Sequence, residues 1–424
     1  MTPIIRHMCE IENGGKMVNK NPALHWAWVI LGICFINLFV NYSVRLGYGV
    51  VLPEMIRTLN FGRADAGTIY NAYLFTYIAI APLTGYLTDR LGARRVISVC
   101  LLVLGIGVVM MGTVRTLLSA SLFFGIAGLG ATGLWAPVIT LVQRWFASHR
   151  RGLALGVLSA GYGLGFATMG VVVPLIVKSL SWHYAWFILG AMALCMVIIN
   201  AIFLRSDPHY VGLTPWGQKA GVSDQVQSPA AAERRMSLRQ LFGKHQFWLI
   251  GLSYFAIAYS LYGITTFMVD YAKNQLGLPL EKASLLATIH GIGQVFGVLT
   301  VMPLSDYLGR KMTILISNSV IAAALAGILI VGDSWILLCC CVAVLAIFYG
   351  VTFPIYGACA GDYFPKGSMG TVIGAWTPFY GAGAILTHWI TGVLRDSTGI
   401  YNHTFIISVL TAFASILLMS RVKK

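Results

Sequence analysis

Arg45 is the residue of this sequence best suited to bind a ligand, because it is the one strong charge well inside a long apolar run. It lies in the stretch NYSVRLGYGVVLP, residues 41–53. A guanidinium stays charged and offers a fork of N–H donors that matches a carboxylate or a phosphate. Charged groups inside a membrane are costly and usually functional. The pattern favours binding of an organic anion; the alternative is an Arg that extends to the outer surface.

Two further residues are candidates for carrying a proton. His290 lies inside another apolar run, and imidazole titrates near neutral pH. Asp270 lies closer to the end of its run, where it could take up a proton from outside. The alternative for His290 is a buried structural histidine. We find no nucleophile, metal or cofactor pattern in the sequence, so we expect no cofactor and no enzymatic activity.

These residues belong to a strongly apolar chain. Of its 424 residues, 58% are hydrophobic and 10% are charged, whereas a soluble domain usually carries about a quarter charged residues. Twelve apolar segments are each close to the ~20 residues that cross a bilayer, so we predict an all-α membrane protein with twelve transmembrane helices. The segments are 26–50, 67–88, 96–114, 117–142, 153–177, 184–204, 246–270, 283–305, 312–332, 335–360, 369–393 and 402–420.

The twelve segments form two halves that repeat in sequence. At an offset of 217 residues, Asp89 corresponds to Asp306 and Pro137 to Pro354. An offset of 218 then aligns a glycine-rich stretch in each half. Parallel repeats of this kind pack about an axis along the membrane normal, with the substrate site between them. We predict a tail at 1–25, a six-helix bundle at 26–204, an interdomain loop at 205–245, and a second six-helix bundle with a short tail at 246–424.

Positive charges are unevenly distributed between the loops. With the N-terminus in the cytoplasm, most of the 29 Lys and Arg residues fall on the cytoplasmic side, as the positive-inside rule requires. This placement accounts for the net charge of +15 without nucleic acid. We expect a multi-pass protein of the inner (plasma) membrane, surrounded by the lipid bilayer, monomeric, and with both termini cytoplasmic.

The loop after the second segment carries a dense motif, GYLTDRLGARR, at 85–95, and PLSDYLGRK at 303–311 is a fainter copy. The motif resembles the loop between the second and third helices of the major facilitator superfamily of secondary transporters. The resemblance implies alternating access between two bundles, with these charges clamping the cytoplasmic helix ends in the outward-open state. The gating residues it implies are Gly85, Asp89, Arg90, Gly92, Arg94, Arg95, Asp306 and Arg310.

Glycines in the two aligned stretches indicate close helix packing. Gly156 and Gly163 of the fifth segment, and Gly374 and Gly381 of the eleventh, carry no side chain that would keep a neighbouring helix away. Such contacts suit surfaces that slide or rock, and tight static packing is the alternative.

The stretch around Arg45 resembles the first helix of organic-anion members of this superfamily, such as the glycerol-3-phosphate and hexuronate-type transporters. In those proteins an Arg three residues after a Tyr holds the substrate anion, and the phosphate-ester transporters carry a second Arg in helix seven. The repeat places tyrosines at the matching positions here, so a single Arg favours a monoanion. We expect the cavity to be lined by Arg45, Tyr42, Tyr73, Tyr77, Tyr259, Tyr262, His290, Gln294 and Tyr380.

Three other stretches, 144–165, 205–217 and 392–401, are similar to the monocarboxylate porters and the oxalate/formate antiporters. The helix-eight Arg of those families corresponds to Val298, and the helix-eleven Lys of the oxalate exchanger is missing, which argues against oxalate. We therefore predict a secondary transporter of a small organic monocarboxylate, with a proton as candidate co-substrate. The open alternatives are an anion exchanger, a multidrug exporter of the same fold, and a non-transporting membrane sensor.

Overall fold

A computed structural model describes residues 25–147, 150–218, 236, 238–331, 334–365 and 369–423. Within those ranges the chain is helical and contains no β-strand. The predicted tail, apart from His25, and the middle of the interdomain loop lie outside the described residues. The helices are α1 (Trp26–Leu59), α2 (Arg63–Leu91), α3 (Ala93–Met111), α4 (Leu117–Ala131), α5 (Ala136–Trp145), α6 (Arg151–Ser179), α7 (Trp182–Phe203), α8 (Leu238–Phe242), α9 (His245–Asn274), α10 (Leu280–Leu308), α11 (Arg310–Ile330), α12 (Trp335–Tyr363), α13 (Met369–Thr398) and α14 (Asn402–Ser420).

Ten helical stretches of the described chain are long and apolar enough to cross a membrane, counting α4 and α5 as one. The helices α2 and α13, with 29 and 30 residues, are also long enough to cross a membrane, but they carry more polar side chains than the ten stretches do. Together they give the twelve predicted spans. We call the side on which α1 begins the terminal face, and the side on which α1 ends the far face.

The packing of the helices confirms the repeat. In the first half α1 packs on α6 and α7, and α3 packs on α4 and α7; in the second half α9 packs on α13 and α14, and α11 packs on α12 and α14. The short turns after α2 and α10 also match: Gly92 has φ 84° and ψ 145°, and Gly309 has φ 81° and ψ 144°. Both lie in a left-handed region that glycine adopts without a steric penalty.

Three helix pairs join the two halves: α1 with α9, α2 with α13, and α6 with α10. Under the repeat α1 corresponds to α9, and the α2–α13 pair corresponds to the α10–α6 pair. The halves are therefore related by a pseudo-twofold axis that passes between α1 and α9.

The fourth predicted segment, 117–142, is not one continuous helix. It is interrupted by a 3₁₀ turn at Thr132–Leu134, and α5 then begins at Ala136. Pro137 lies in the first turn of α5, where its missing N–H leaves no bond unmade. The break brings Trp135 into the centre of the molecule.

The predicted gating residues lie at the helix ends on the terminal face, in the last turns of α2 and α10, the first turns of α3 and α11, and at Gly92 between α2 and α3. Arg94 donates a hydrogen bond to the carbonyl of Ala201, and Arg310 pairs with Asp306. Each contact is within one bundle. Arg90 lies over the ring of Tyr86, 4.6 Å from its centroid. The side chain of Asp89 is outside the described part of the structure.

Candidate substrate-binding site

Arg45 lies in the middle of α1 and is 8% exposed. Its Nη2 donates a hydrogen bond of 2.5 Å to the hydroxyl of Tyr262 on α9. These residues are 217 positions apart, the offset of the repeat, so they are equivalent residues that contact each other. Equivalent residues can touch only near the axis that relates them. The guanidinium therefore lies at the interface of the bundles, and does not extend to lipid.

Aromatic rings surround the guanidinium. Its Cζ lies 5.8 Å from the ring centroid of Tyr42, 5.3 Å from that of Tyr77 and 5.8 Å from that of Tyr262. At these distances the faces of the rings attract the cation. Tyr73 stacks on Tyr77, and Tyr380 meets Tyr262 edge to face at 5.6 Å. The structure thus brings six of the nine predicted cavity residues together.

The charges of the site do not balance. Among the described residues, Arg45 is the only buried Lys or Arg, and no carboxylate lies within ion-pair distance of it. The two buried carboxylates are paired elsewhere: Glu54 with Arg57 and Lys273, and Asp270 with Arg63. Nε of Arg45 has no hydrogen-bond partner in the described chain. A buried cation without a counter-charge is unfavourable, so the site has the electrostatics of an anion receptor.

His290 and Gln294 lie together on α10, in a second polar group of the same interface. Nε2 of Gln294 is 2.6 Å from Nδ1 of His290, and the ring lies 4.9 Å from that of Tyr349 and 5.5 Å from that of Phe166. The Oε1 atom of Gln294 has no partner within the described residues. Both residues are buried, and neither is in direct contact with Arg45 in the described structure.

In the described structure neither Tyr259, a predicted cavity residue, nor Asp270, a predicted proton carrier, forms a hydrogen bond or an ion pair with Arg45. Tyr259 lies beside Gly383 of α13, and its hydroxyl has no partner in the part of the chain described. Asp270 is fully buried at the far end of α9, where it accepts hydrogen bonds from Arg63 at 3.1 Å and from Tyr401 at 2.5 Å. Its role as a proton carrier stays a prediction, and in this conformation it is an ion-pair partner.

The far face is closed by contacts between the bundles. The pairs Arg63–Asp270 and Lys273–Glu54 both join the first bundle to the second. Asp396 of α13 accepts hydrogen bonds of 2.9 Å from the backbone N–H groups of Arg63 and Ala64, and so caps the N-terminus of α2. A carboxylate at this position also complements the helix dipole.

The terminal face is open between the bundles, as three glycines on one side of α6 show. Gly156, Gly163 and Gly170 are spaced by seven residues, close to two helical turns. A β-carbon at Gly170 or Gly163 would collide with α10, but one at Gly156 would meet no described atom within 4 Å. The helices α6 and α10 therefore diverge towards the terminal face.

The same divergence separates α2 from α13. A β-carbon at Gly381 would collide with Ile78 of α2, whereas one at Gly374 would meet no described atom within 4 Å. The predicted close packing is therefore correct for Gly163 and Gly381 and wrong for Gly156 and Gly374, because the last two lie where the bundles have moved apart.

Sequence reasoning missed several residues of the site. His388 of α13 was not among the predicted site residues, but its ring lies 4.5 Å from that of Tyr70 and 5.7 Å from that of Tyr262. Tyr162 packs on Tyr42 at 4.1 Å, and as the repeat partner of Tyr380 it could have been found from the offset. Trp135 meets Phe353 of the other bundle at 5.6 Å, a contact that depends on the unpredicted break after α4.

These features define a class of protein: a membrane protein of two repeated six-helix bundles, with a central polar site that is closed on one face. The profile of the Major Facilitator Superfamily matches residues 34–283 and 250–424. The chain belongs to this superfamily of membrane transporters, as the loop motif at 85–95 predicted.

Relatives support both predicted resemblances. The chain is 25% identical over 398 residues to the probable sulfoacetate transporter SauU of Cupriavidus necator, covering 90% of each protein. It is 23% identical over 401 residues to the hexuronate transporter of Bacillus subtilis, covering 90% of this chain and 91% of that protein. It is 25% identical to mouse monocarboxylate transporter 4 over 311 residues, covering 70% of this chain and 64% of the relative.

A solved structure shows the same fold. The crystal structure of a bacterial homologue of the human lysosomal transporter Spinster, inward-facing and unoccupied, superposes with a TM-score of 0.72 at 15% identity. The match covers 94% of this chain and 97% of that one.

Proposed function

We propose that this transporter carries a small organic monocarboxylate across the inner membrane together with a proton, and that Arg45 binds the carboxylate. The observation that supports this is the buried guanidinium with no carboxylate partner in the described chain. A substrate carboxylate would supply the counter-charge and would accept hydrogen bonds from Nη2 and from the unpartnered Nε.

The surroundings of Arg45 favour a monoanion with an apolar or aromatic body. One guanidinium balances one negative charge, and the rings of Tyr42, Tyr77, Tyr262 and Tyr380 offer apolar surface with polar tips. The relatives named for sulfoacetate, hexuronate and monocarboxylates all carry organic anions by name, which agrees with an anion at this site.

We also propose that the terminal face is cytoplasmic, as the distribution of Lys and Arg predicts. The conformation described is then open to the cytoplasm and closed to the outside by the Arg63–Asp270 and Lys273–Glu54 pairs.

The test is uptake of a panel of radiolabelled carboxylates into proteoliposomes, with the variant Arg45→Lys. Lysine keeps the charge but loses the fork of donors, so we expect uptake at low substrate concentration to fall at least about tenfold. Arg115→Lys is the matched control, because Arg115 is exposed in the loop between α3 and α4, and we expect it to transport normally.

Uptake by Arg45→Lys at the rate of the unmodified protein would remove Arg45 from the site. Binding of a carboxylate without any flux, measured by thermal shift and by counterflow, would favour a membrane sensor over a transporter.

A further inference from the structure

We propose that His388 carries the proton that accompanies the anion. This inference rests on the proposed function, because it requires a substrate carboxylate at Arg45. It differs from the prediction made from the sequence, in which His290 and Asp270 were the candidates. The argument depends on where His388 lies and on which groups surround it.

His388 connects three helices at the interface of the two bundles. It lies on α13; its Nδ1 is 3.0 Å from Oδ1 of Asn71 on α2, and its Nε2 is 2.8 Å from the hydroxyl of Thr266 on α9. A β-carbon at Gly67 of α2 would lie only 2.6 Å from the carbonyl oxygen of His388. The side chain is fully buried.

The hydrogen bonds of Asn71 assign the ring proton. Nδ2 of Asn71 donates to the carbonyl of Ile385 at 2.9 Å, which directs Oδ1 towards His388. Nδ1 of the histidine is then the donor, and the neutral Nε2 accepts from the hydroxyl of Thr266. A second proton at Nε2 reverses only this last bond: Thr266 becomes the acceptor and its own proton turns to a carbonyl of the same helix, as buried threonines allow.

The ring of His388 can thus keep both hydrogen bonds when it is protonated. The unfavourable free energy of protonation therefore comes from the charges nearby. His388 and Arg45 both lie against Tyr262, at 5.7 Å and 5.8 Å from its ring. The titratable groups in ring contact with His388 are Tyr70 of α2 and Tyr262 of α9, and Arg45 of α1 lies over the ring of Tyr262. Towards the far face, Phe267 lies between His388 and Tyr401, which belongs to the cluster of Tyr401, Asp270 of α9 and Arg63 of α2.

No carboxylate among these groups is free to balance a second cation, because Asp270 is paired with Arg63. A carboxylate bound to Arg45 neutralises one positive charge of the site and so lowers the free energy of protonating His388. Binding of the anion and binding of the proton therefore favour each other, and linkage makes the effect reciprocal.

The position of His388 also makes its exposure depend on how the two bundles are arranged. Its bond to Asn71 joins the second bundle to the first, so parting of α2 from α13 breaks this bond and exposes the ring. The hydrogen bonds of His290 run to Thr265 and Gln294 of its own bundle, and in the described structure none reaches the first bundle.

The experiment compares His388→Gln with the matched variant His290→Gln in proteoliposomes. Two rates are measured: accumulation of the carboxylate driven by an imposed pH gradient, and counterflow with the same substrate on both sides. We expect His388→Gln to keep counterflow within about threefold of the unmodified protein but to lose accumulation above equilibrium. His290→Gln should still accumulate the carboxylate above equilibrium, and His403→Gln, at an exposed histidine at the start of α14, is the control that should keep both rates. Full accumulation by His388→Gln, or its loss only in His290→Gln, would overturn the inference.

A second measurement covers the case in which His388→Gln does not fold. Asn71→Asp keeps the histidine and places a carboxylate against Nδ1, so we expect the pH of half-maximal uptake to move upwards. In the unmodified protein, calorimetry of carboxylate binding in buffers of different ionisation enthalpy should show proton uptake on binding. No proton uptake, or an unchanged pH profile in Asn71→Asp, would overturn the role of His388. Absence of counterflow in the unmodified protein for every carboxylate would instead defeat the proposed function.

Discussion

At the scale of single residues, the contact between Arg45 and Tyr262 defines the centre of the candidate site. The phenol hydroxyl occupies a donor of the guanidinium that a substrate carboxylate would use. The ring of Tyr262 also supports the cation from its face. If Arg45 binds the substrate carboxylate as proposed, Tyr262 is a neutral stand-in for that anion.

We expect Tyr262→Phe to separate these two contributions. The ring stays, but the buried guanidinium loses its hydrogen bond, which costs about 1.5–3 kcal/mol. The melting temperature without substrate should fall, and the rise on adding a carboxylate should be larger than in the unmodified protein. Tyr259→Phe, whose hydroxyl has no partner in the described chain, is the control and should change neither value. An unchanged melting temperature in Tyr262→Phe would contradict the stand-in role.

Much of this residue-level arrangement could be predicted from the sequence. Arg45 was found because its charge interrupts an apolar run, and Tyr262 because the repeat offset carries Arg45 onto it. His388 was not predicted because it lies near the end of its segment, and its position along the sequence does not reveal which helix crosses there. Only the crossing of α2 and α13 at Gly67 makes it central.

At the scale of the helices, α6 contacts α10 at Gly163 and Gly170, and the two helices separate towards the terminal face, where Gly156 lies. The glycines on this side of α6 could be predicted as a packing surface, since small residues recur every seven positions. Which of these glycines contact α10 could not be predicted from the sequence, because the two ends of the bundle interface close in different states of the transport cycle. The break after α4 was missed because the apolar run continues through it.

Two alanine substitutions on α6 should therefore have different effects. Gly163→Ala collides with the carbonyl of Gly291 in the present conformation, and we expect it to lower stability by about 1–3 kcal/mol. Gly156→Ala has room here, so stability should stay within about 0.5 kcal/mol, while transport slows if the terminal face must close over this position. Thermal unfolding and uptake are measured on both variants. Equal destabilisation would contradict the divergence of α6 and α10.

At the scale of the whole molecule, we expect the balance between the two open states to depend on the far-face ion pairs Arg63–Asp270 and Lys273–Glu54. Asp270 is fully buried, and its partner Arg63 is 20% exposed in its side chain. Asp306 and Arg310 form a pair within the second bundle only, with Asp306 62% exposed. The first pair must break for the bundles to part at the far face, and the second need not.

Asp270→Asn should therefore shift the molecule towards opening of the far face. Loss of the charge from a buried pair costs about 2–5 kcal/mol, and only the closed state contains this pair. Spin labels at Arg115 and Glu281, one on the far side of each bundle, should report a longer distance by pulsed electron resonance in a cysteine-free background. Asp306→Asn is the matched control. The same distance distribution in both variants would contradict a gating role for Asp270.

The cap that Asp396 places on α2 has a consequence for the solvent. When the far face opens, the N–H groups of Arg63 and Ala64 lose a carboxylate of the other bundle, and that carboxylate loses its two donors. Each exposed group must then be hydrated, and the same water must leave when the face closes. Water is thus bound when the far face opens and released when it closes. The equilibrium between the two states therefore depends on water activity as well as on substrate.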